Sequence, residues 1–337
     1  MTINRTHSQY VNNGATSVPA QIAGKNKIIN GDFGIWQRGT SFTLSASTST
    51  YCADRMLFYY SGTGTNTVTQ QVFTPGTAPV AGYEGSYYAR FTTAAGATYF
   101  SLAQKVEDVR TLSGQTATFS FWAKASTSVG GYMLFRQNFG LGGSVDVDTG
   151  GATITLTSNW TRYTFTVNIP SVSGKTIGSG SYLYMIFVQN SGTPSSNVVD
   201  TWGWQLEAGS VATPFTTASG SIGGELALCQ RYYWRISGSS GTWFSALGSG
   251  ASTTKVEIPI QNPVPMRIVP TSIDYAFLRA LDFVNARINL TNLALYDGTT
   301  NSIILEGTVA SGLTQYRPYI LAFQSGQNAY LGVNAEL

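Results

Sequence analysis

Histidine, the residue most often used as a general acid or base, is nearly absent from this sequence of 337 residues. The single histidine, His7, lies in a polar N-terminal stretch, which excludes Ser–His and Cys–His nucleophiles and most zinc sites. Hydrolysis of a glycosidic bond needs only two carboxyl groups at a set separation. Glu107 and Asp108 are adjacent and would point to opposite faces of a strand, whereas Asp146 and Asp148 would share a face. A solvated loop explains the second pair more simply, so we expect no enzymatic activity.

Residue types suited to holding a sugar are more plentiful. A sugar ring stacks on an exposed aromatic ring, while amide, carboxylate or guanidinium groups bond its hydroxyl groups. Either Tyr59 or Tyr60 must face outwards if the other faces a core. In a chain with 19 tyrosines, 17 phenylalanines and 7 tryptophans, an outward ring can also lack a ligand or pack against another subunit. The candidate sugar-binding residues, chosen because they lie in loops or point away from a core, are Trp122, Tyr132, Arg136, Gln137 and Asn138.

The elements that must position these side chains are β-strands. Charged residues make up 10% of the chain and glycine is abundant, a composition that favours strands and turns over exposed helices. The segment TATFSFWAKAS (116–126) alternates between apolar and polar residues, and RYTFTVNIP (162–170) does the same. In contrast, YLYMIFVQ (182–189) is apolar on both faces, which predicts a central strand. One face of the first segment would carry Ala117, Phe119, Phe121 and Ala123.

Composition changes divide the chain into four parts. Residues 1–26 are polar and aperiodic, and we expect them to form an extended arm that becomes ordered against a partner. Residues 27–217 carry strand patterns separated by Gly- and Ser-rich turns, which predict a jelly-roll β-sandwich. Residues 218–225 resemble a linker. Residues 226–337 begin with a short helical turn and then carry the strands of a second, smaller β-sandwich.

Charge and cysteine content exclude several classes of protein. The net charge of +3 comes without any run of Lys and Arg, so we expect no nucleic-acid partner. No stretch approaches 18 apolar residues, and the N-terminus lacks the apolar core of a signal peptide, so membrane insertion and secretion are not expected. Two cysteines, Cys52 and Cys229, are too few for a disulfide framework and should be buried thiols. We therefore expect a soluble protein, and a surface rich in Ser, Thr and Tyr suits a virion component.

Several motifs in fixed order indicate a family. INGDF (29–33), SGQTATFSFWAKAS (113–126), NWTRYTFTVNIP (159–170) and VDTWGWQLEAGSVATPF (199–215) together resemble the jelly-roll carbohydrate-binding modules found in phage tail and fibre proteins. ELALCQRYYWR (225–235) and NPVPMRIVPTS (262–272) resemble the small C-terminal domain that often follows such a module. The resemblance covers roughly residues 27–275.

The resemblance implies a virion appendage that binds surface glycan, usually as a homotrimer. Modules of this type often hold a structural calcium near the first and last strands, which here implies Asn30, Asp32 and Asp200 as ligands. Calcium requires about six to eight oxygen atoms, and these residues supply only a few. The alternative is a hydrogen-bonded turn that Asp32 caps, with no cofactor. Gly31 suits such a turn because glycine adopts a positive φ without steric cost.

The sequence therefore predicts a bacteriophage tail fibre or receptor-binding protein that recognises host surface polysaccharide. Its arm would attach to other virion proteins, and several weak glycan contacts would be strengthened by avidity. Two alternatives remain open. The same fold could serve as a structural clamp in a capsid decoration or baseplate protein, or a pair of carboxylates could make it a polysaccharide depolymerase.

Overall fold

The computed structural model of the protein describes residues 23–80, 83–189, 196–238, 243–282 and 287–337. Most of the predicted arm, 1–26, lies outside these ranges, but Asn26 is buried and its amide donates to the carbonyl groups of Trp204 (3.0 Å) and Thr216 (2.9 Å). The predicted arm therefore extends too far along the chain, because Asn26 is part of the first sandwich.

The strands of this sandwich are β1 (Ser41–Leu44), β2 (Thr50–Tyr51), β3 (Leu57–Gly62), β4 (Asn66–Val72), β5 (Tyr87–Thr93), β6 (Ala97–Glu107), β7 (Thr116–Ala125), β8 (Val129–Asn138), β9 (Val147–Leu156), β10 (Thr161–Asn168), β11 (Tyr182–Gln189) and β12 (Asn197–Ala208).

These strands form two antiparallel sheets of six strands each. Sheet A has the order β1-β4-β5-β12-β7-β10, and sheet B has the order β2-β3-β6-β11-β8-β9. Aromatic side chains from both sheets meet between them: the ring centroids of Phe119 and Phe135 are 6.0 Å apart, and those of Phe121 and Phe187 are 5.4 Å apart. The core thus lies between the sheets, and the predicted all-β sandwich is confirmed.

Strand alternation predicted the buried faces correctly. Ala117, Phe119, Phe121 and Ala123 of β7 are all buried in this core. The segment 182–189 forms β11, which pairs with β6 on one side and β8 on the other, as expected for a central strand. Its second apolar face points away from the core and matters for the site described below.

The INGDF motif joins the beginning of the first sandwich to its last strand. The N–H of Trp204 donates to the carbonyl of Gly31 (2.9 Å), and the N–H of Lys27 donates to that of Leu206 (2.8 Å). The sequence predicted Gly31 as the residue with positive φ, which is wrong: Asn30 (φ 59°) and Phe33 (φ 55°) adopt that conformation. Gly31 is needed because a Cβ atom there would overlap the carbonyl of Trp204.

A short helix begins the second half of the chain. It spans Ile222–Gln230 (α1), and the hydroxyl of its N-cap residue, Ser221, accepts a hydrogen bond from the N–H of Gly224 (3.1 Å). The predicted linker, 218–225, therefore ends too late, since its last four residues lie in the helix. The strands that follow are β13 (Tyr233–Gly238), β14 (Trp243–Gly250), β15 (Lys255–Gln261), β16 (Ser272–Ala276), β17 (Leu278–Leu281), β18 (Arg287–Asn289), β19 (Asn292–Gly298), β20 (Ser302–Thr308), β21 (Pro318–Phe323) and β22 (Ala329–Asn334).

The strands of the second half form two further sheets. One contains three strands in the order β13-β22-β16, and the other contains seven in the order β18-β17-β21-β14-β15-β20-β19. Both contribute to a second apolar core, which includes Trp234 and Leu331 from the smaller sheet and Ile258 and Leu321 from the larger one.

Ion pairs link the first sandwich to the second half of the chain. Glu336, near the C-terminus, forms ion pairs with Arg55 and with Arg38 (3.3 Å), and all three side chains are largely buried. The guanidinium of Arg55 lies 3.5 Å from the ring centroid of Tyr232, while that of Arg38 lies 3.5 Å from that of Tyr233. The contact between the halves is therefore polar and largely shielded from water.

The two cysteines are buried free thiols, as predicted. Burial raises the pKa of Cys52 and of Cys229 well above the usual range, which keeps both protonated and unreactive. In the part of the chain that the structure describes, no helix has the length and apolar character needed to cross a membrane.

Candidate functional site

Sheet B carries a second apolar surface on the side that faces away from the core. Tyr184, Ile186 and Val188 of β11 lie beside Tyr132 and Leu134 of β8, with Val188 directly opposite Tyr132 and Ile186 directly opposite Leu134. On the other side of β11, Tyr99 and Ala103 of β6 complete the group. We call these seven residues, together with Tyr59, the tyrosine face. The ring of Tyr59 packs edge-on against Tyr99, with centroids 5.8 Å apart.

The rings of this face lie over a buried floor. Ala103 is fully buried, and Ile186 and Val188 are only 8% and 7% exposed, because the tyrosines pack across them. Tyr132 reaches over β9 at Gly151, where a Cβ atom would overlap its phenol ring. Rings held in this way present partly exposed faces to solvent, as stacking on a ligand requires.

Polar groups border the tyrosine face at one end. Arg136 donates two hydrogen bonds to the carboxylate of Asp148, at 2.6 and 3.0 Å, and Asn138 donates to that of Asp146 at 3.0 and 3.1 Å. The hydrogen bonds from Arg136 lower the pKa of Asp148, which therefore stays ionised. Both acidic residues of the pair considered for hydrolysis are thus engaged by neighbouring side chains. Donors and acceptors of this kind suit the hydroxyl groups of a sugar.

The five predicted sugar-binding residues do not form one site. Tyr132 lies on the tyrosine face, and Arg136 and Asn138 lie at its polar border. The prediction of Gln137 as a surface contact is wrong. The alternation of side chains along β8 points Gln137 into the core, where it is fully buried and its amide donates to the carbonyl of Pro170 (2.9 Å). Trp122 points outwards from sheet A, on the opposite side of the sandwich, and is therefore not part of this site.

The outer surface of sheet A is closed by its own aromatic cluster. Trp122 packs there with Trp202 and Phe215, and its ring fills the space beside Gly203, where β12 bulges at a φ of 70°. The half-buried ring of Trp122 is thus part of a packed layer, in contrast to the open row of rings on sheet B.

Sequence patterns did not lead to Tyr99, Tyr184 or the floor beneath them. The sequence did carry a signal for Tyr184, because segment 182–189 is apolar on both faces. Only one of these faces can point into the core, so the apolar character of the other requires a separate explanation. Tyr99 gave no such signal, because only the pairing of β6 with β11 brings it to the same surface.

Two of the three residues implied as calcium ligands, Asn30 and Asp200, are already bonded to other groups. The side-chain amide of Asn30 donates to the carbonyls of Ile35 and Asp54 (both 2.9 Å), and its oxygen accepts from the N–H of Ile35 (2.9 Å). Both carboxylate oxygens of Asp200 accept hydrogen bonds from Arg90, at 2.7 and 2.9 Å. Among the described residues, no three His, Cys, Asp or Glu side chains are grouped so as to hold a metal. A calcium site built on Asn30, Asp32 and Asp200 is therefore not supported.

Comparison with known proteins gives weak similarities. No protein-family model matches the sequence, and no curated protein does. Among solved structures, the enzymatically active domain of bacteriophage CBA120 tailspike protein 4 is similar over 55% of this chain, with 17% identity and a TM-score of 0.35. This match spans only 21% of the tailspike chain.

Two smaller proteins are similar over almost their whole lengths. A family 11 carbohydrate-binding module from Clostridium thermocellum, in complex with a mixed-linked tetrasaccharide, has 12% identity and a TM-score of 0.29, covering 53% of this chain and 98% of its own. A cyclase from Fischerella sp. TAU has 12% identity and a TM-score of 0.34, covering 52% and 100%. Because these values are low and the proteins differ in activity, any functional inference must come from the site itself.

Proposed function

We propose that the tyrosine face binds a glycan chain and that the protein is a non-catalytic receptor-binding component of a bacteriophage virion. The observation that supports binding is the row of partly exposed tyrosine rings over an apolar floor, with charged and amide groups at its border. Aromatic rings provide stacking surfaces, and the bordering groups provide hydrogen bonds to hydroxyl groups.

The dimensions of the face suit several sugar rings in a row. Tyr59, Ser101, Val188 and Tyr132 lie opposite one another on consecutive strands β3, β6, β11 and β8. Three strand spacings separate Tyr59 from Tyr132, which corresponds to about 14 Å across the sheet. We infer that the glycan runs across the strands, between these two tyrosines.

The virion role is supported by sequence rather than by geometry. The low charge content and the order of the motifs suit a tail fibre or receptor-binding protein on the particle surface, with the N-terminal arm attached to other virion proteins. A single face of this size would bind weakly, so we propose a homotrimer in which three faces act together. Light scattering on the purified protein would measure the mass of the assembly, and a monomer would contradict this part of the proposal.

A binding assay tests the glycan function. The full-length protein is titrated against a panel of bacterial envelope polysaccharides, and its adhesion to whole cells is measured. We expect saturable binding that weakens about tenfold in Tyr132→Ala and in Tyr59→Ala, the loss usual for an important aromatic contact. Tyr296→Ala is the matched control, because this tyrosine is 62% exposed but lies in the second half of the chain.

Three outcomes would count against the proposal. Equal binding by the wild type and both variants would show that the tyrosine face is not the glycan site. Binding to undecorated phage capsids without any binding to cells or polysaccharides would instead favour a capsid decoration protein. Release of reducing ends from a bound polysaccharide would contradict the proposed absence of catalysis.

A further inference from the structure

A small open cavity lies in the second half of the chain, on the side of the three-stranded sheet that points away from the second core. Arg235 and Ser237 of β13 and Tyr330 of β22 line it, together with Asn328 directly before β22. Trp234, which precedes Arg235, points the opposite way and is buried in the second core. The cavity has a volume of about 290 Å³, and none of its described lining residues is acidic. It is therefore a polar site that contains a positive charge.

The guanidinium of Arg235 is held in place on two sides. It lies over the ring of Tyr330, 3.4 Å from the centroid, and its Nη1 atom donates to the backbone carbonyl of Arg38 (2.7 Å). A guanidinium fixed in this way loses little conformational freedom when it binds a further group. Arg235 is thus preorganised for a ligand.

Arg235 differs from the other guanidinium groups at this junction in having no carboxylate partner. Arg38 and Arg55 also lie over tyrosine rings, but both form ion pairs with Glu336. Asp274 lies across β22 from Arg235 and accepts a hydrogen bond from a tyrosine hydroxyl (3.1 Å). Among the residues that the structure describes, Arg235 forms no ion pair. Its positive charge is therefore available to an anion.

Two of the three guanidinium nitrogens of Arg235 are not used by the protein. The Nε atom is enclosed and has no hydrogen-bond partner among the described residues. The Nη2 atom likewise donates to no acceptor in the described ranges of the chain. Because Arg235 is only half-buried and itself lines the cavity, a ligand there can approach Nη2 directly.

We propose that this cavity binds one acidic sugar residue through its carboxylate, as a second glycan site separate from the tyrosine face. The carboxylate accepts charge-assisted hydrogen bonds from Arg235 and balances its charge. The hydroxyl of Ser237 and the amide of Asn328, both exposed, bond the hydroxyl groups of the sugar. The cavity is close to the lower limit for ligand sites, about 300 Å³, which suits a single sugar ring.

The carboxyl terminus of a peptide would fit this cavity less well. A peptide side chain next to that carboxylate needs an apolar pocket, and the only large ring in the lining, Tyr330, is covered on one side by Arg235. The other lining residues are glycine, alanine, serine and asparagine. Polar groups of this kind favour a ligand with several hydroxyl groups.

A titration of the full-length protein, followed by NMR of the ligand at pH 7.5, tests the proposal with four probes: glucuronate, glucuronamide, glucose and N-acetylalanine. We expect glucuronate to bind at least tenfold more tightly than glucuronamide or glucose, because only glucuronate carries a carboxylate. N-acetylalanine should bind more weakly than glucuronate, since it has the carboxylate but no hydroxyl groups. Glucuronate binding no tighter than that of any one of the other three probes would overturn the assignment.

Variants locate the binding. Asn328→Asp places a carboxylate in the cavity at an exposed position, which should leave the fold intact and weaken glucuronate binding at least tenfold. Asn301→Asp is the matched control, because it makes the same change of charge at an exposed asparagine outside the cavity. Arg235→Gln should remove the preference for glucuronate over glucuronamide, with circular dichroism used to verify the fold.

The tyrosine face provides an independent reference. Tyr132→Ala should leave glucuronate binding unchanged, so the test does not depend on whether that face binds a glycan. Unchanged glucuronate binding in Asn328→Asp, an equal loss in Asn301→Asp, or loss of binding in Tyr132→Ala would each contradict the proposed site. A folded Arg235→Gln variant that still prefers glucuronate would do so as well.

Discussion

The ion pair between Arg55 and Glu336 offers a direct test of how the two halves of the chain are held together. We consider Glu336→Gln, which keeps the size of the side chain and removes only its charge. In the wild type, Glu336 is 5% exposed in its side chain and Arg55 is 1% exposed. The substitution therefore leaves a buried guanidinium without its counterion.

The remaining contacts of Arg55 set the size of the effect. Its guanidinium still donates to the carbonyl of Lys105 (2.6 Å) and lies over the ring of Tyr232. Its Nε atom has no hydrogen-bond partner among the described residues even in the wild type. Removing one member of a buried ion pair costs about 3 to 5 kcal/mol. Because the amide oxygen introduced by Glu336→Gln would still accept a hydrogen bond, we expect a loss near the lower limit, about 3 kcal/mol.

Urea unfolding, followed by tryptophan fluorescence and circular dichroism, measures this loss through the midpoint and slope of the transition. Asp148→Asn is the control, because it breaks the Arg136–Asp148 pair, whose side chains are 39% and 51% exposed. An exposed pair of this kind should contribute less than about 1 kcal/mol. A double variant, Arg55→Met with Glu336→Leu, should lose less stability than Glu336→Gln alone, since it removes the fully buried guanidinium of Arg55 and leaves only Arg38, which is 13% exposed, without this counterion.

Two results would refute this explanation of the contact between the halves. In the first, Glu336→Gln would lower the free energy of unfolding by no more than Asp148→Asn does. In the second, the double variant would be less stable than the single one. Either result would mean that the contact depends on apolar packing rather than on the buried charges.

Two further predictions concern the turn that contains INGDF. Burial raises the pKa of Asp32 in the folded protein to about 6, above its usual value of 3.8, so the folded state binds this proton more tightly and loses stability as the pH rises from about 4 to 6. Asp32→Asn should remove that loss and raise the free energy of unfolding by about 1 to 3 kcal/mol at pH 7.5. A variant no more stable than the wild type in urea at that pH would contradict this prediction. Gly31→Ala should lower the melting temperature, because its Cβ would overlap the carbonyl of Trp204 at a cost of about 3 kcal/mol. Gly130→Ala is the control, because a Cβ there would meet no atom within 4 Å. An unchanged melting temperature in Gly31→Ala would show that the turn can shift.

The sequence predicted some site residues and missed others for identifiable reasons. Gln137 was grouped with Arg136 and Asn138 because all three follow one another near glycines. They belong to a regular strand, however, and alternation sends the middle residue into the core. Trp122 was correctly predicted to point outwards from its strand. Its packing among other aromatic rings, however, depends on the sheet to which that strand belongs.

Local patterns by themselves determined the all-β class, the buried face of β7 and the central position of β11. Each of these follows from residue type and a two-residue period, which act over a few neighbouring positions. Only the tertiary structure decided which outward faces would meet. Tyr59, Tyr99, Tyr184 and Tyr132 become one surface because β3, β6, β11 and β8 pair in a particular order and register, and hydrogen bonds between strands distant in sequence fix that register. The same holds for Arg235 and Asn328, which lie far apart in the chain and line one cavity only after folding.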